Sequence, residues 1–161
     1  MKIGVISDTH DNITNITKAV VLFNYHQVSK VIHCGDFVAP FSLLAFKDLQ
    51  CSLVGVFGNC DGERDFLLER ARELNYSIFQ PPYIFNINDK KILISHQPIP
   101  YNHQCDVQLY GHTHKAEIIY QTNGIKPSVI VNPGEAGGWL FQQPSIAILD
   151  LDNLQAQLIN L

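Results

Sequence analysis

Lys2-Ile3-Gly4-Val5-Ile6-Ser7-Asp8-Thr9-His10 is a short apolar run that breaks off into an acid and an imidazole. A strand apolar along its whole length is buried on both faces, as in a parallel sheet covered by helices. The pattern recurs twice. Lys30-Val31-Ile32-His33-Cys34 runs into Gly35-Asp36, and Ser52-Leu53-Val54-Gly55-Val56-Phe57 runs into Gly58-Asn59-Cys60-Asp61. Segments of helical spacing lie between these runs. Asn12 stands where a helix cap is wanted, ahead of a stripe at Ile13, Ile16, Val20 and Phe23. Residues 41–46, after Pro40, predict a short second helix, and residues 64–74 a third. The resulting βαβαβα order predicts a parallel sheet.

After about residue 80 the pattern turns to strands, expected at 83–87, 90–95, 107–110, 117–121, 128–132, 145–150 and 154–159. Asn88-Asp89 and Asn123-Gly124 supply turns between them. Leu154, Ala156 and Leu158 alternate with Gln155 and Gln157, which predicts a last strand with one wet face. No linker, repeat or low-complexity tract interrupts the chain. The expectation is therefore one α/β domain over residues 1–161, built of two packed sheets with helices outside.

Composition narrows the function. An apolar fraction of 46% with 9 Phe, 6 Tyr and 1 Trp is enough for a large core and excludes disorder as the main state. Lys and Arg number 11 against 15 Asp and Glu, for a formal charge of −4. Such a chain has no broad cationic field, so neither extended nucleic acid nor an anionic membrane is an expected partner. Its apolar runs fall far short of the roughly 20 residues that span a bilayer. The first run is also too short for a signal peptide, which predicts a cytoplasmic protein. Cys34, Cys51, Cys60 and Cys105 show no Cys-x-x-Cys spacing and are expected as free thiols.

The polar residues that follow the strands carry the chemistry, because open α/β sheets place ligands at strand ends. In extended backbone, Asp8 and His10 would point to one side, and His112 and His114 share that spacing. Asp36 has two carboxylate oxygens with which to bridge cations, and the Asn59 amide oxygen is a neutral hard donor. Each element alone has an ordinary reading: Asp8 as a helix cap, Gly35-Asp36 and Gly58-Asn59 as turns, His96 as a packed histidine. Gly111-His112-Thr113-His114 is more specific, since two imidazoles on one short turn repel when protonated and suit a metal. Their order, at one strand end after another, makes coincidence a poor explanation.

That ordered set resembles the signature of the calcineurin-like metallophosphoesterases, and the length resembles their small prokaryotic phosphodiesterase branch. The resemblance implies a four-layer α/β/β/α sandwich of two mixed sheets with outer helices. It further implies two divalent metals, one held by Asp8, His10, Asp36 and His114, the other by Asp36, Asn59, His96 and His112. Asp36 would be shared, and Asn59, Cys60 and Asp61 would form the catalytic turn. A nitrogen and oxygen donor set without thiolate suits Mn²⁺, Ni²⁺, Fe²⁺ or Zn²⁺ better than Mg²⁺ alone, and Mn²⁺ is the expected ion with the others as alternatives. The implied reaction is hydrolysis of a small phosphodiester by hydroxide held between the metals.

Three positions depart from the family pattern. Cys60 stands where the family has a His, read there as the proton donor to the leaving oxygen. Neighbouring cations would lower the thiol's pKa and Asp61 would raise it, and a plain space-filling role is an equal alternative. Gln97-Pro98-Ile99-Pro100 replaces a Gly-His segment, so no substrate contact is assigned to that loop. Asn132-Pro133-Gly134-Glu135 reads as a tight turn. His33 is expected inside the second strand, His26 at a helix end and His103 in a polar loop. The expected activity is that of a metal-dependent phosphoesterase, a phosphodiesterase before a monoesterase. The rival is a non-catalytic scaffold like the similar small subunit of retromer, where the ligand set is degraded. Homo-oligomer formation is left open.

Overall fold

The computed structural model describes residues 1–122 and 127–161; the expected Asn123-Gly124 turn lies outside them. The first sheet is built from β1 (Lys2–Ile6), β2 (Lys30–His33), β3 (Ser52–Val56), β4 (Ser77–Phe79), β10 (Ser145–Asp150) and β11 (Gln155–Asn160). Its order is β11-β10-β1-β2-β3-β4. β1 to β4 run parallel, with Gly4 opposite Val31 and Val31 opposite Leu53. Parallel neighbours need crossovers, and these are α1 (Ile13–Tyr25), a 3-10 helix (Pro40–Phe46) and α2 (Arg64–Glu73). β4 is not among the expected strands, because Ser77-Ile78-Phe79 is too short to show a period. The second sheet contains β5 (Tyr83–Ile87), β6 (Lys90–Ile94), β7 (Val107–Leu109), β8 (Glu117–Thr122) and β9 (Pro127–Asn132), in the order β5-β6-β7-β9-β8.

Asn12 does cap α1, its side chain accepting from the Asn15 N–H at 3.1 Å. The buried face differs from the predicted stripe at its first turn. Ile13 is 40% exposed, while Asn15 is buried and donates to the Ala136 and Gly137 carbonyls. Ile16, Ala19, Val20 and Phe23 complete the face and pack on Ile6, Val31, Leu53 and Ile146. Phe23, Phe37 and Phe46 are fully buried in this layer. Truncating one of them to Ala costs about 3–5 kcal/mol. A second apolar layer lies between the sheets, where Ile3, Val5, Ile32 and Val56 meet Ile92, Ile94, Val107 and Val131.

The two mixed sheets and the fold class stand, but the outer helices differ from the expected arrangement. Among the described residues all three helices precede β5 and cover the first sheet. The far face of the second sheet is closed by the loop after β6 instead. There the Gln108 amide donates to the Ile99 carbonyl at 3.0 Å and accepts from the Asn102 N–H at 3.1 Å, and Tyr101 hydrogen-bonds Ser128. The last strand is also corrected. Leu154 sits buried in the preceding turn with φ +57°, and Leu158 is at the exposed edge. The four cysteines are free. Among the described residues no helix is long and apolar enough to cross a membrane.

Candidate metal centre

β1, β2, β3 and β6 are parallel or adjacent in the sandwich, and the turns after them converge. The turn after β1 is fastened to the turn after β2 by backbone bonds from Asp8 N to Gly35 O (3.0 Å) and from His10 N to Asp36 O (3.2 Å). His33, at the end of β2, secures the same junction from below. Its Nδ1 accepts the Gly35 N–H at 3.1 Å, which leaves Nε2 to carry the proton toward the Thr9 hydroxyl at 3.1 Å. Thr9 Oγ1 in turn donates to the Asp36 carbonyl. Burial lowers the His33 pKa well below its ordinary value, so the ring stays neutral, stacked on Phe37.

The expected extended Asp-x-His geometry is not what brings the ligands together. Asp8, His10, Asp36, His112 and His114 all have positive φ, at +52°, +39°, +59°, +64° and +59°. The strands end before these residues and the chain coils left-handed, which aims each side chain into the shared cleft. A left-handed non-glycine residue costs about 1–3 kcal/mol, and such strain persists where the surroundings enforce it. Two glycines leave the space this requires. A Cβ on Gly58 would lie 2.0 Å from Asp36 Oδ1, and one on Gly111 would lie 1.9 Å from Ser7 Oγ and 2.6 Å from Asp8 Oδ2.

Asp36 is at the middle of the cluster. Its Oδ1 accepts the Cys60 N–H at 2.8 Å, while Oδ2 stands 3.6 Å from His10 Nε2 and 3.4 Å from His96 Nε2. Burial raises its pKa, but the His96 hydrogen bond and the Cys60 N–H outweigh this and hold the carboxyl well below its usual range. On one side, Asp8 Oδ1 lies 3.3 Å from His114 Nε2 and 3.9 Å from His10 Nε2. Asp8 Oδ1 and His10 Nε2 are buried without a hydrogen-bond partner. On the other side, His96 Nε2 is 2.9 Å from Asn59 Oδ1, and its Nδ1 is 2.8 Å from the Cys34 carbonyl. A carbonyl only accepts, so Nδ1 carries a proton. Nε2 then faces two further acceptors, Asn59 Oδ1 and Asp36 Oδ2. Burial opposes a charge on this ring, but Asp36 prevails and raises the His96 pKa. Acceptors gathered round one point, and orphaned ligand atoms beside them, fit divalent cations, because a cation satisfies all of them at once.

The sequence-predicted residues meet here to different degrees. Asp8, His10 and His114 form one compact donor group, His10, Asp36 and Cys60 a second, and Asp8, Asp36 and His96 a third, so that Asp36 belongs to two of them. His112 enters through its ring, packed edge-on to His96 with centroids 5.1 Å apart, and its backbone N–H donates to Asp8 Oδ2 at 3.0 Å. Cys60 is exposed, its sulfur accepting from the Asn59 amide at 3.3 Å. Burial, and then the neighbouring carboxylates of Asp36, Asp61 and Asp8, push the thiol up to about 11. Asp61 is buried, with Oδ2 accepting the N–H groups of Asp36 (3.1 Å) and Gly58 (2.7 Å) and Oδ1 that of Val38 (2.8 Å). It ties the β2 and β3 turns together.

The expected tight turn follows β9, with Gly134 at φ +84° donating its N–H to Asn132 Oδ1, and Glu135 has a further role beyond it. Glu135 is 2% exposed, it accepts the N–H groups of Trp139 and Leu140, and its Oε1 lies 3.4 Å from His114 Nδ1. A carboxylate behind a ligating imidazole fixes the ring's orientation and tautomer. With Asp8 first and Glu135 added, the His114 pKa is raised. A sequence signal existed: an acid soon after a buried strand, as Asp8 and Asp36 are.

Comparison with known proteins agrees with this geometry. The calcineurin-like phosphoesterase superfamily domain matches residues 1–154. A phosphodiesterase of Methanocaldococcus jannaschii is 38% identical over 94% of this chain and 94% of its own length. A solved archaeal phosphodiesterase superposes with a TM-score of 0.86 at 36% identity, covering all of both chains. A Vps29 from Entamoeba histolytica shares the fold at a TM-score of 0.67 and 19% identity, over 100% of this chain and 99% of that one. Matched by the family model over residues 1–154 and by a 38% identical relative almost end to end, the chain belongs to the calcineurin-like phosphoesterase superfamily.

Proposed function

We propose that this protein is a metal-dependent phosphodiesterase acting on small diesters. One observation carries the reading: Asp36 Oδ2 lies between His10 and His96, so one carboxylate oxygen serves two adjacent donor groups. Asp8, His10, Asp36 and His114 would hold one divalent ion, and Asp36, Asn59, His96 and His112 the other. Mn²⁺ is the metal we assign, with Ni²⁺, Fe²⁺ and Zn²⁺ as alternatives that the same imidazole, carboxylate and amide donors would accept. Two such ions supply a water of lowered pKa and neutralise charge on the phosphoryl group at both ends of an in-line displacement. The protein's own part is positioning. Asn59 offers its amide oxygen from a turn that Asp61 anchors, Glu135 orients His114, and His33 with Thr9 fixes the backbone under Asp36. Cys60, a thiol in place of an imidazole, is exposed beside Asn59 and is given no part in proton transfer. This supports diesters with acidic leaving groups as the best substrates. The likeness to a phosphodiesterase over nearly the full length supports a diester over a monoester. Four free thiols are consistent with a reducing, cytoplasmic setting. A purely scaffolding role would leave the strained left-handed ligand residues and the orphaned Asp8 and His10 atoms without a purpose. The test is an activity screen of the metal-supplemented protein over aryl diesters, aryl monoesters and cyclic nucleotides, repeated in excess chelator. Diester turnover that vanishes with chelation is expected. Chelator-resistant turnover, or none on any substrate, would remove the proposal.

A further inference from the structure

A cleft of about 330 Å³ opens directly beside His96 and Asn59. Its walls are Phe57, Pro81, Pro82 and Ile99, and its polar groups include Arg64, Gln80 and Gln97. That volume is at the lower end for ligand sites and suits one substituent of a diester rather than a whole large molecule. Among the described residues no carboxylate lines it. Arg64 is its cation, and the guanidinium is held rigidly. Nε donates to the Asp61 carbonyl at 3.1 Å, Nη2 to the Gly58 carbonyl at 3.3 Å, and Nη1 to Gln80 Oε1 at 3.3 Å, over the Phe57 ring at 5.0 Å. All three partners are neutral oxygens, so none of them cancels the charge. A guanidinium has five N–H groups, and three are used. One remains on each terminal nitrogen, which is the fork that matches a carboxylate or phosphate.

We infer that this cleft is the subsite for one ester group of the substrate, and that Arg64 selects an ester group bearing an oxyanion, either a carboxylate or a second phosphate. The inference rests on the phosphodiesterase reading above. The scissile phosphate sits at the metal centre, and the group on its His96 and Asn59 side enters the apolar walls with its anion at the Arg64 fork. Arg64 also grips both ends of the turn that carries Asn59 and Cys60, so a variant can lower all rates together. Selectivity is therefore the quantity to read.

The probes are two matched pairs of nitrophenyl diesters, assayed with Mn²⁺-loaded protein by nitrophenolate release. One pair is nitrophenyl phenyl phosphate with and without a carboxylate on the phenyl ring. The other is thymidine 5′-nitrophenyl phosphate with and without a 3′-phosphate. The wild type is expected to favour the charged member of at least one pair by about tenfold or more in kcat/KM, the size of one charge-assisted contact. The favoured pair identifies carboxylate or phosphate. The preference should shrink with added salt, fall to about one in Arg64→Gln, and survive in part in Arg64→Lys. Wild-type ratios near one in both pairs, or a ratio unchanged in Arg64→Gln, overturn the inference while leaving diester hydrolysis intact. Should Arg64→Gln not fold, Arg64→Lys and the wild-type salt dependence decide by the same criterion. Absence of nitrophenolate from all four probes overturns the reaction itself, and this subsite with it.

Discussion

Replacing Asp61 by Asn separates positioning from chemistry at the centre. The carboxylate accepts three buried backbone N–H groups, two at Oδ2 and one at Oδ1. An amide oxygen turned toward Asp36 and Gly58 keeps the pair, but its NH₂ then faces the Val38 N–H, donor against donor. One charge-assisted bond is lost, worth about 1.5–3 kcal/mol, and one buried donor is stranded, costing about 1–3 kcal/mol. The sum is about 2.5–6 kcal/mol. Burial pushes the Asp61 carboxyl up against the pull of these same N–H groups, which marks the charged form as partly disfavoured and places the loss toward the lower figure. For a chain of this length each kcal/mol moves Tm by about 2–4 °C, so Asp61→Asn should melt at least about 5 °C below wild type. Turnover should fall as well, because the lost grip frees the turn that presents Asn59. The assay is thermal melting with and without Mn²⁺, beside turnover of a bis-nitrophenyl diester. Melting within about 2 °C of wild type together with a hundredfold loss of turnover would refute the positioning argument and give Asp61 a direct part in the reaction.

Asn59→Ala should do the opposite, lowering turnover far more than Tm, since its amide oxygen faces His96 from an exposed turn; equal losses would mark it as a structural turn residue. For Cys60, log kcat plotted against leaving-group pKa should fall steeply in wild type and hardly change in Cys60→Ala. Cys60→His should gain chiefly on poor leaving groups, by up to about 10² to 10⁴-fold, the usual range for general acid catalysis. A shallow wild-type slope that steepens in Cys60→Ala would show the thiol to be a working acid. A pH dependence follows from His96 and His114, whose folded pKa values are raised above the ordinary 6.5. Their stabilisation of the metal-free protein is fully present below about 6.5 and is lost as pH rises through the raised values. Metal binding needs the deprotonated rings, so Mn²⁺ affinity should rise over the same interval. Melting and metal titration at pH 6, 7 and 8 check both, and a metal-free Tm that climbs with pH, or an affinity that falls, would reverse the assignment.

The centre was legible in the sequence wherever a ligand type follows an apolar strand at once, as with Asp8, Asp36, Asn59, His96 and the His112 and His114 pair. Strand ends in a parallel sheet lie side by side, so order along the chain translates into proximity in space. What stayed hidden depends on packing between distant segments. Glu135 reaches His114 only because β9 lies beside β7, and His33 looks like one more residue of a buried strand until Thr9 meets its ring. Arg64 reads as the first residue of an amphipathic helix, and its hold on the preceding turn comes from chain reversal rather than from spacing. The layer over the second sheet escaped because Gln108 secures a proline-stiffened loop there, and no periodicity announces a loop.

The central claim is that two ions sharing Asp36 are needed for diester hydrolysis. It is tested most directly by adding Mn²⁺ stepwise to metal-free protein while measuring both bound metal and the rate on a bis-nitrophenyl diester. The account predicts no rate without metal and a plateau at two ions per chain, with Asp36→Ala reaching neither. Full turnover in metal-free protein, or two tightly held ions in Asp36→Ala, would contradict it.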